Sequence, residues 1–144
     1  MYLHRQSSRF MLILLLLPAA LCAGLAWTSH TWWLYLLAVA FVLLAWVFSS
    51  LTIAVTDREL VSYFGPGVWS RHVTLGDIAT AERTTSSPLE GWGIRFTPRG
   101  MLYNVAGTDA VDVRLATGQH FRLGTDDPDG LLAALHSVLH EDSR

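Results

Sequence analysis

His136 and His140 stand four residues apart in a Leu-rich stretch of this 144-residue chain. On a helix that spacing puts both imidazoles on one face, where a divalent metal can be held. No glutamate lies between them in an HExxH arrangement and no cysteine is near, so the plainer assignment is to the last turns of a helix, whose dipole suits an imidazole. Asp126, Asp127 and Asp129 form an acidic cluster, but Pro128 sits among them and an apolar run follows, which marks a capped helix start. Gly65-Pro66-Gly67 and Gly91-Trp92-Gly93 match neither GxGxxG nor GxxxxGK[ST], and each precedes strand-like sequence, so they read as turns. Ser86, Ser87 and Ser137 lie in no GxSxG context, and His72 and His120 fall on strand-like segments without a visible partner. Cys22 is the single cysteine, which excludes an internal disulfide and any CxxC site. The expectation is a protein without catalytic residues, bound metal or cofactor, and not an enzyme.

Four residues remain as a possible partner-binding set: Trp69 and Trp92, each in or beside a Gly-rich corner, and Arg95 and Arg99, close to Trp92 in sequence. A Trp in such a place either plugs a core, meets a partner or dips into a lipid interface, and two nearby guanidinium groups add a small cationic patch.

The elements that position these residues fall into two halves. From Phe10 to Thr56 there is no Arg, Lys, Asp or Glu. Phe10–Trp27 is an unbroken apolar run, about 27 Å long as a helix, against a hydrocarbon core of roughly 30 Å. Thr28–Thr31 is polar, and a second apolar run extends from Trp32 to Phe48 before Ser49-Ser50. So short a connection implies an antiparallel helical hairpin, with Trp27, Trp32 and Trp33 together at one interface. Residues 1–9 carry Arg5 and Arg9 and the connection carries no fixed charge, so the positive-inside tendency places both termini in the cytoplasm of a cell membrane. The expected division is a basic N-terminus at 1–9, spans at 10–27 and 32–49, an external loop at 28–31, and a cytoplasmic domain at 50–144. The alternative is a cleaved signal peptide ending near Ala20-Leu21-Cys22; a second apolar run directly afterwards argues against it.

Beyond Ser50 the pattern turns to short alternating runs broken by Gly, Pro and Asp, the pattern of a meandering antiparallel sheet. Thr52–Thr56 and Glu59–Phe64 form a hairpin around Asp57-Arg58. Val68–Leu75 and Ile78–Arg83 follow, and Thr84–Pro88 is a loop. Gly91–Phe96 and Gly100–Val105 flank a turn at Pro98-Arg99-Gly100, and Ala110–Leu115 returns through Thr117-Gly118 into Gln119–Leu123. Thr125-Asp126-Asp127-Pro128 then starts an amphipathic helix with Leu131, Leu132, Leu135, Val138 and Leu139 on its apolar face. About seven strands ending in a helix predict a small curved sheet or barrel capped by that helix.

Gly91-Trp92-Gly93-Ile94-Arg95, Tyr103-Asn104-Val105-Ala106-Gly107, Ala110-Val111-Asp112-Val113 and Gly124-Thr125-Asp126-Asp127-Pro128 together resemble the bacterial pleckstrin-homology-like (PH-like) membrane proteins. The resemblance covers residues 10 to 140. It implies two N-terminal transmembrane helices followed by a PH-like antiparallel barrel of seven strands with a C-terminal helix, and it supplies no catalytic residues. The fold class expected is therefore membrane-anchored α+β.

Charge narrows the partners. All ten basic residues are Arg, and residues 57–144 carry eight Arg against twelve acids, a net −4. No basic surface for nucleic acid is indicated. Phosphoinositide binding is not expected either, because a polyanionic head group needs several cations and the turn Thr56-Asp57-Arg58-Glu59 carries −1. What remains is an integral membrane protein that presents a small β-domain to a protein partner or to itself, or an accessory subunit that works through its hairpin.

Overall fold

The structure is a computed structural model that describes residues 1–141, apart from the side chains of Pro88, His140 and Glu141. It is α+β, with two sheets, an N-terminal helical hairpin and a C-terminal helix.

The chain begins with a strand, β1 (Tyr2–Ser7), inside the segment read from sequence only as a basic N-terminus. Ser8 then caps helix α1 (Arg9–Ser29), its Oγ accepting the Met11 N–H at 3.1 Å. α1 runs through Pro18, ends at His30 in the left-handed region, and is followed by α2 (Trp33–Phe48). The two helices pack along small residues seven apart, Ala19 and Ala26 against Ala38 and Ala45, the spacing that lets backbones approach in a left-handed pair. Around that seam the apolar side chains point outward: Ile13, Leu17, Leu21, Leu36, Val39 and Leu43 are among many that are exposed. α1, at 21 residues, is long and apolar enough to cross a bilayer, whereas α2, at 16 residues, is shorter than that criterion.

After α2 the chain enters β2 (Ser50–Val55), β3 (Glu59–Phe64) and β4 (Trp69–Thr74), which with β1 make an antiparallel sheet in the order β1-β2-β3-β4. β1 pairs with β2 from Tyr2↔Val55 to Ser7↔Ser50, and the Ser8 N–H donates to the Ser49 carbonyl at 2.8 Å. The ladder therefore reaches the foot of the hairpin, and both ends of the hairpin leave the β-domain side by side. The second sheet holds β5 (Ile78–Thr85), β6 (Gly93–Thr97), β7 (Gly100–Asn104), β8 (Asp109–Leu115) and β9 (His120–Gly124) in the order β5-β8-β9-β7-β6.

Two expectations are corrected here. The described residues contain nine strands in two separate sheets, not about seven in one antiparallel curved sheet or barrel, and β7 pairs with β9 in parallel. The parallel pair follows from the Val105–Thr108 connection, which carries β8 across to β5 and leaves β9 to fill the gap between β8 and β7, and the strand count rises in part because β1 joins β2. Alternation of side chains identifies strands but does not order them.

The core lies between the sheets, where Leu51, Ile53, Val55, Leu60 and Phe64 of the first meet Tyr103, Val111, Val113, Phe121 and Leu123 of the second. Helix α3 (Pro128–Glu141) covers one side, packing on β5, β8 and β2 and burying Leu131 and Leu135. Its acidic start is a cap: Asp127 Oδ1 accepts the Gly130 N–H at 3.0 Å, and Thr125 Oγ1 accepts the Asp127 N–H at 3.1 Å. Asp127 also accepts the Tyr2 hydroxyl at 3.1 Å, and Asp126 meets His4, so β1 is tied to the helix start as well as to β2. Burial, with the neighbouring Asp127 carboxylate, raises the Tyr2 hydroxyl pKa above its ordinary value.

Candidate interaction surface

The four residues singled out from sequence do not form one cluster. Trp92 stands just before β6, Arg95 on it and Arg99 in the turn that follows it, whereas Trp69 begins β4 in the other sheet. Arg95 Nε donates to the Trp92 carbonyl at 3.4 Å, and Arg99 lies beside a groove whose other wall includes Ser87 and Glu90.

The loop is fastened from below. Arg122 on β9 is 1% exposed and grips Glu90 with two hydrogen bonds, Nη2 to Oε1 at 2.8 Å and Nη1 to Oε2 at 3.1 Å. Nη2 also donates to Thr97 Oγ1 at 2.9 Å. Glu90 further accepts the Ser87 N–H at 2.8 Å. The Arg122 hydrogen bonds, followed by the one from Ser87, pull the Glu90 carboxyl down to about 2. A bidentate guanidinium–carboxylate pair is directional as well as strong, so the short turn Pro88–Glu90 and the residues after it are held in one place. Nothing in the alternation His120-Phe121-Arg122-Leu123 marks Arg122 as buried, since a polar face is the ordinary place for it.

The same loop touches the hairpin. The Trp92 and Phe10 rings lie 4.8 Å apart, and Trp92, Gly93 and Ile94 share an apolar groove with Met11, Leu14 and Leu15 of α1 and Leu44 and Phe48 of α2. Close to Trp92 in sequence are two large exposed apolar residues that the alternation pattern does not single out, Leu89 at 97% and Phe96 at 87% exposed. The only signal for Leu89 is an apolar residue inside the polar run Ser86-Ser87-Pro88-Leu89-Glu90.

Trp69 is 56% exposed, next to the exposed Val68. Its turn also abuts the hairpin: Gly65 has φ +51°, and a Cβ there would stand 2.6 Å from the Val47 carbonyl oxygen and 2.9 Å from that of Trp46. Only glycine allows this approach. On the same face of β4, Arg71 stacks over Phe121 at 4.3 Å and donates to the Tyr103 hydroxyl at 3.0 Å, closing that margin of the core.

Among the described residues no group of three or more His, Cys, Asp or Glu is placed to hold a metal ion. His136 Nε2 lies 3.4 Å from the Ala81 carbonyl oxygen, and the side chain of His140 is outside the described residues.

Comparison with protein-family models, with curated proteins and with solved structures finds no match.

Proposed function

We propose that this chain is a non-enzymatic, membrane-anchored scaffold of the PH-like type, in which a two-span hairpin holds a small β-domain at the cytoplasmic face of the cell membrane for contact with a protein partner or a second copy. The observation that carries the reading is the pairing of β1 with β2 across the foot of a hairpin whose apolar side chains face outward. A chain paired to itself on both sides of the hairpin keeps its N-terminal strand and its β-domain on one side of whatever the hairpin enters. Arg5 and Arg9 then favour the cytoplasm for that side. α2 is about 24 Å long, so its span requires local thinning of the bilayer or a share of the crossing carried by Trp32 and the residues around it. The resemblance to PH-like membrane proteins supports the type through residues 91–95 and 124–128, and not through barrel closure.

The topology is tested by a reporter active only outside the cytoplasm: inactive when fused after Arg144, active when fused after His30. The reverse result overturns the orientation. For the scaffold itself, tagged full-length protein is cross-linked mildly in cells and captured, with an unrelated two-span anchor replacing residues 9–48 in a second strain. A specific complex, homomeric or heteromeric, that survives the exchange is the expected outcome.

A second reading, an accessory subunit that binds through its hairpin, is favoured by one feature. Ala20, Ala23, Val39 and Val42 help to line an open apolar groove along the two helices, and small residues of this kind are where another helix packs closely. Under that reading the complex is lost when the hairpin is exchanged.

A further inference from the structure

We propose that residues 89–96 form a second, non-spanning membrane contact, in which Leu89, Trp92 and Phe96 enter the lipid of the cytoplasmic leaflet beside the hairpin. The inference rests on the reading that the hairpin crosses a bilayer.

Depth is the first argument. The groove at Trp92, Gly93 and Ile94 reaches Leu14 and Leu15 on α1 and Leu44 on α2. Leu14 is five residues into α1 from Arg9, about 7 Å along the axis at 1.5 Å per residue. Leu44 is likewise one turn inside Phe48. A loop lying against the flank of the helices at that level shares their surroundings, and if those are acyl chains, so are the loop's.

Exposure is the second. Leu89 and Phe96 are almost wholly uncovered, three residues before and four residues after Trp92, which already meets Phe10. Apolar side chains left bare next to a lipid-facing helix gain the burial the protein does not provide, and the Trp92 ring suits the boundary between chain and head group. Charge is the third. The one acid between Ser86 and Arg99 is Glu90, and the buried Arg122 engages both of its oxygens, so the exposed charges of this segment are Arg95 and Arg99, matched to lipid phosphate. A protein partner or second copy would need to wedge against the hairpin at the same depth.

The test uses the full-length chain in phosphatidylcholine–phosphatidylglycerol vesicles, with Cys22→Ala and single cysteines introduced by Leu89→Cys, Leu21→Cys or Asp57→Cys, each carrying an environment-sensitive fluorophore. Lipids bearing a nitroxide near the head group or deep in the chain serve as quenchers. At position 89 the expected result is blue-shifted emission whose loss is greater with the shallow nitroxide than with the deep one. Position 21, mid-helix, should lose most emission to the deep nitroxide, and position 57, at the far turn, should lose none. Quenching at 21 without quenching at 89 overturns this inference and leaves the hairpin reading standing. A blue shift at 89 that neither nitroxide affects overturns it in favour of a protein cover. No quenching at 21 overturns both.

Discussion

Replacing Glu90 by Gln removes the charge opposite Arg122 while keeping the side-chain shape. Arg122 is 1% exposed and Glu90 22%, and Arg122 Nε has no hydrogen-bond partner, so the guanidinium depends on this carboxylate. Removing one partner of a buried pair leaves the other charge uncompensated, at a typical cost of about 3–5 kcal/mol. The pH dependence gives a separate measure. The Glu90 carboxyl falls from 4.5 to about 2 on folding, and at about 1.4 kcal/mol per unit this is on the order of 3 kcal/mol of linkage. Because the folded value is the lower one, the contribution is complete above the unfolded value near 4.5 and is lost as pH falls through the folded one. About half of it should be gone by pH 3. The assay is urea unfolding in detergent micelles, followed by circular dichroism, for the wild type and Glu90→Gln at pH 7, 5 and 3. The wild type should exceed the variant by roughly 3 kcal/mol at pH 7, and the gap should narrow by about half at pH 3. A variant within about 1 kcal/mol of wild type at pH 7, the level of an ordinary surface pair, or a gap that does not change between pH 5 and pH 3, refutes the reasoning.

Gly65→Ala forces a Cβ against the Val47 and Trp46 carbonyls at a positive φ, so the thermal midpoint should drop by the equivalent of about 1–3 kcal/mol, with the loss concentrated in hydrogen-exchange protection around the β3–β4 turn. Because Ser8 and Ser49 are hydrogen-bonded neighbours, joining residues 1–8 to residues 49–144 through a short Gly-rich turn should give a folded domain without the hairpin, whereas residues 50–144 alone, lacking β1 and baring the β2 edge, should aggregate; equal solubility of the two by gel filtration would count against a structural role for β1. The joined domain, which keeps Leu89, Trp92 and Phe96, should float weakly with neutral vesicles and somewhat more with strongly anionic ones, the salt-sensitive increment from Arg95 and Arg99 being roughly 1 kcal/mol each; tight capture confined to the anionic vesicles would make head-group recognition a function of the domain.

The helices and most strands are legible in the sequence for one reason: each is encoded by a local pattern. The apolar runs before and after Thr28–Thr31 became α1 and α2, and Glu59–Phe64 and Ala110–Leu115 lie in β3 and β8 with their alternating faces as expected. β1 is hidden because Tyr2–Ser7 alternates only weakly, His4 and Gln6 against Leu3 and Arg5, and its strand character comes from β2, nearly fifty residues away. Sheet order is hidden for the same reason. Of the four surface residues chosen from sequence, Trp92 precedes β6, Arg95 lies on it and Arg99 turns out of it, but what fixes the loop before β6 is Arg122, and what makes that segment unusual is the bareness of Leu89 and Phe96. Burial of a cation and exposure of an apolar side chain are decided by tertiary neighbours, and composition records neither.

The clamp at the hairpin's foot also limits how the domain can move. A β-domain joined to a membrane anchor by a flexible linker samples many orientations, but here the linker is absent: Ser7 and Ser50 are ladder partners, Gly65 rests on the last turn of α2, and Trp92 rests on the first turn of α1. Contacts on three sides fix the domain's tilt relative to the helices. The ladder that starts at Ser50 ends at Val55, so the turn Thr56–Glu59 lies a full strand away from the hairpin, about 17 Å at 3.3 Å per residue. With the hairpin in a bilayer, that acidic turn points away from the lipid and the Trp92 loop toward it. Charge and position then agree: the end with Asp57 and Glu59 is kept from an anionic surface, and the end with Arg9 is held near it. A rigid anchor of this kind does not search for partners by swinging. In a bilayer it would set one face of the domain at a constant height above the lipid, which would suit assembly with another membrane-held chain better than capture of a freely diffusing one.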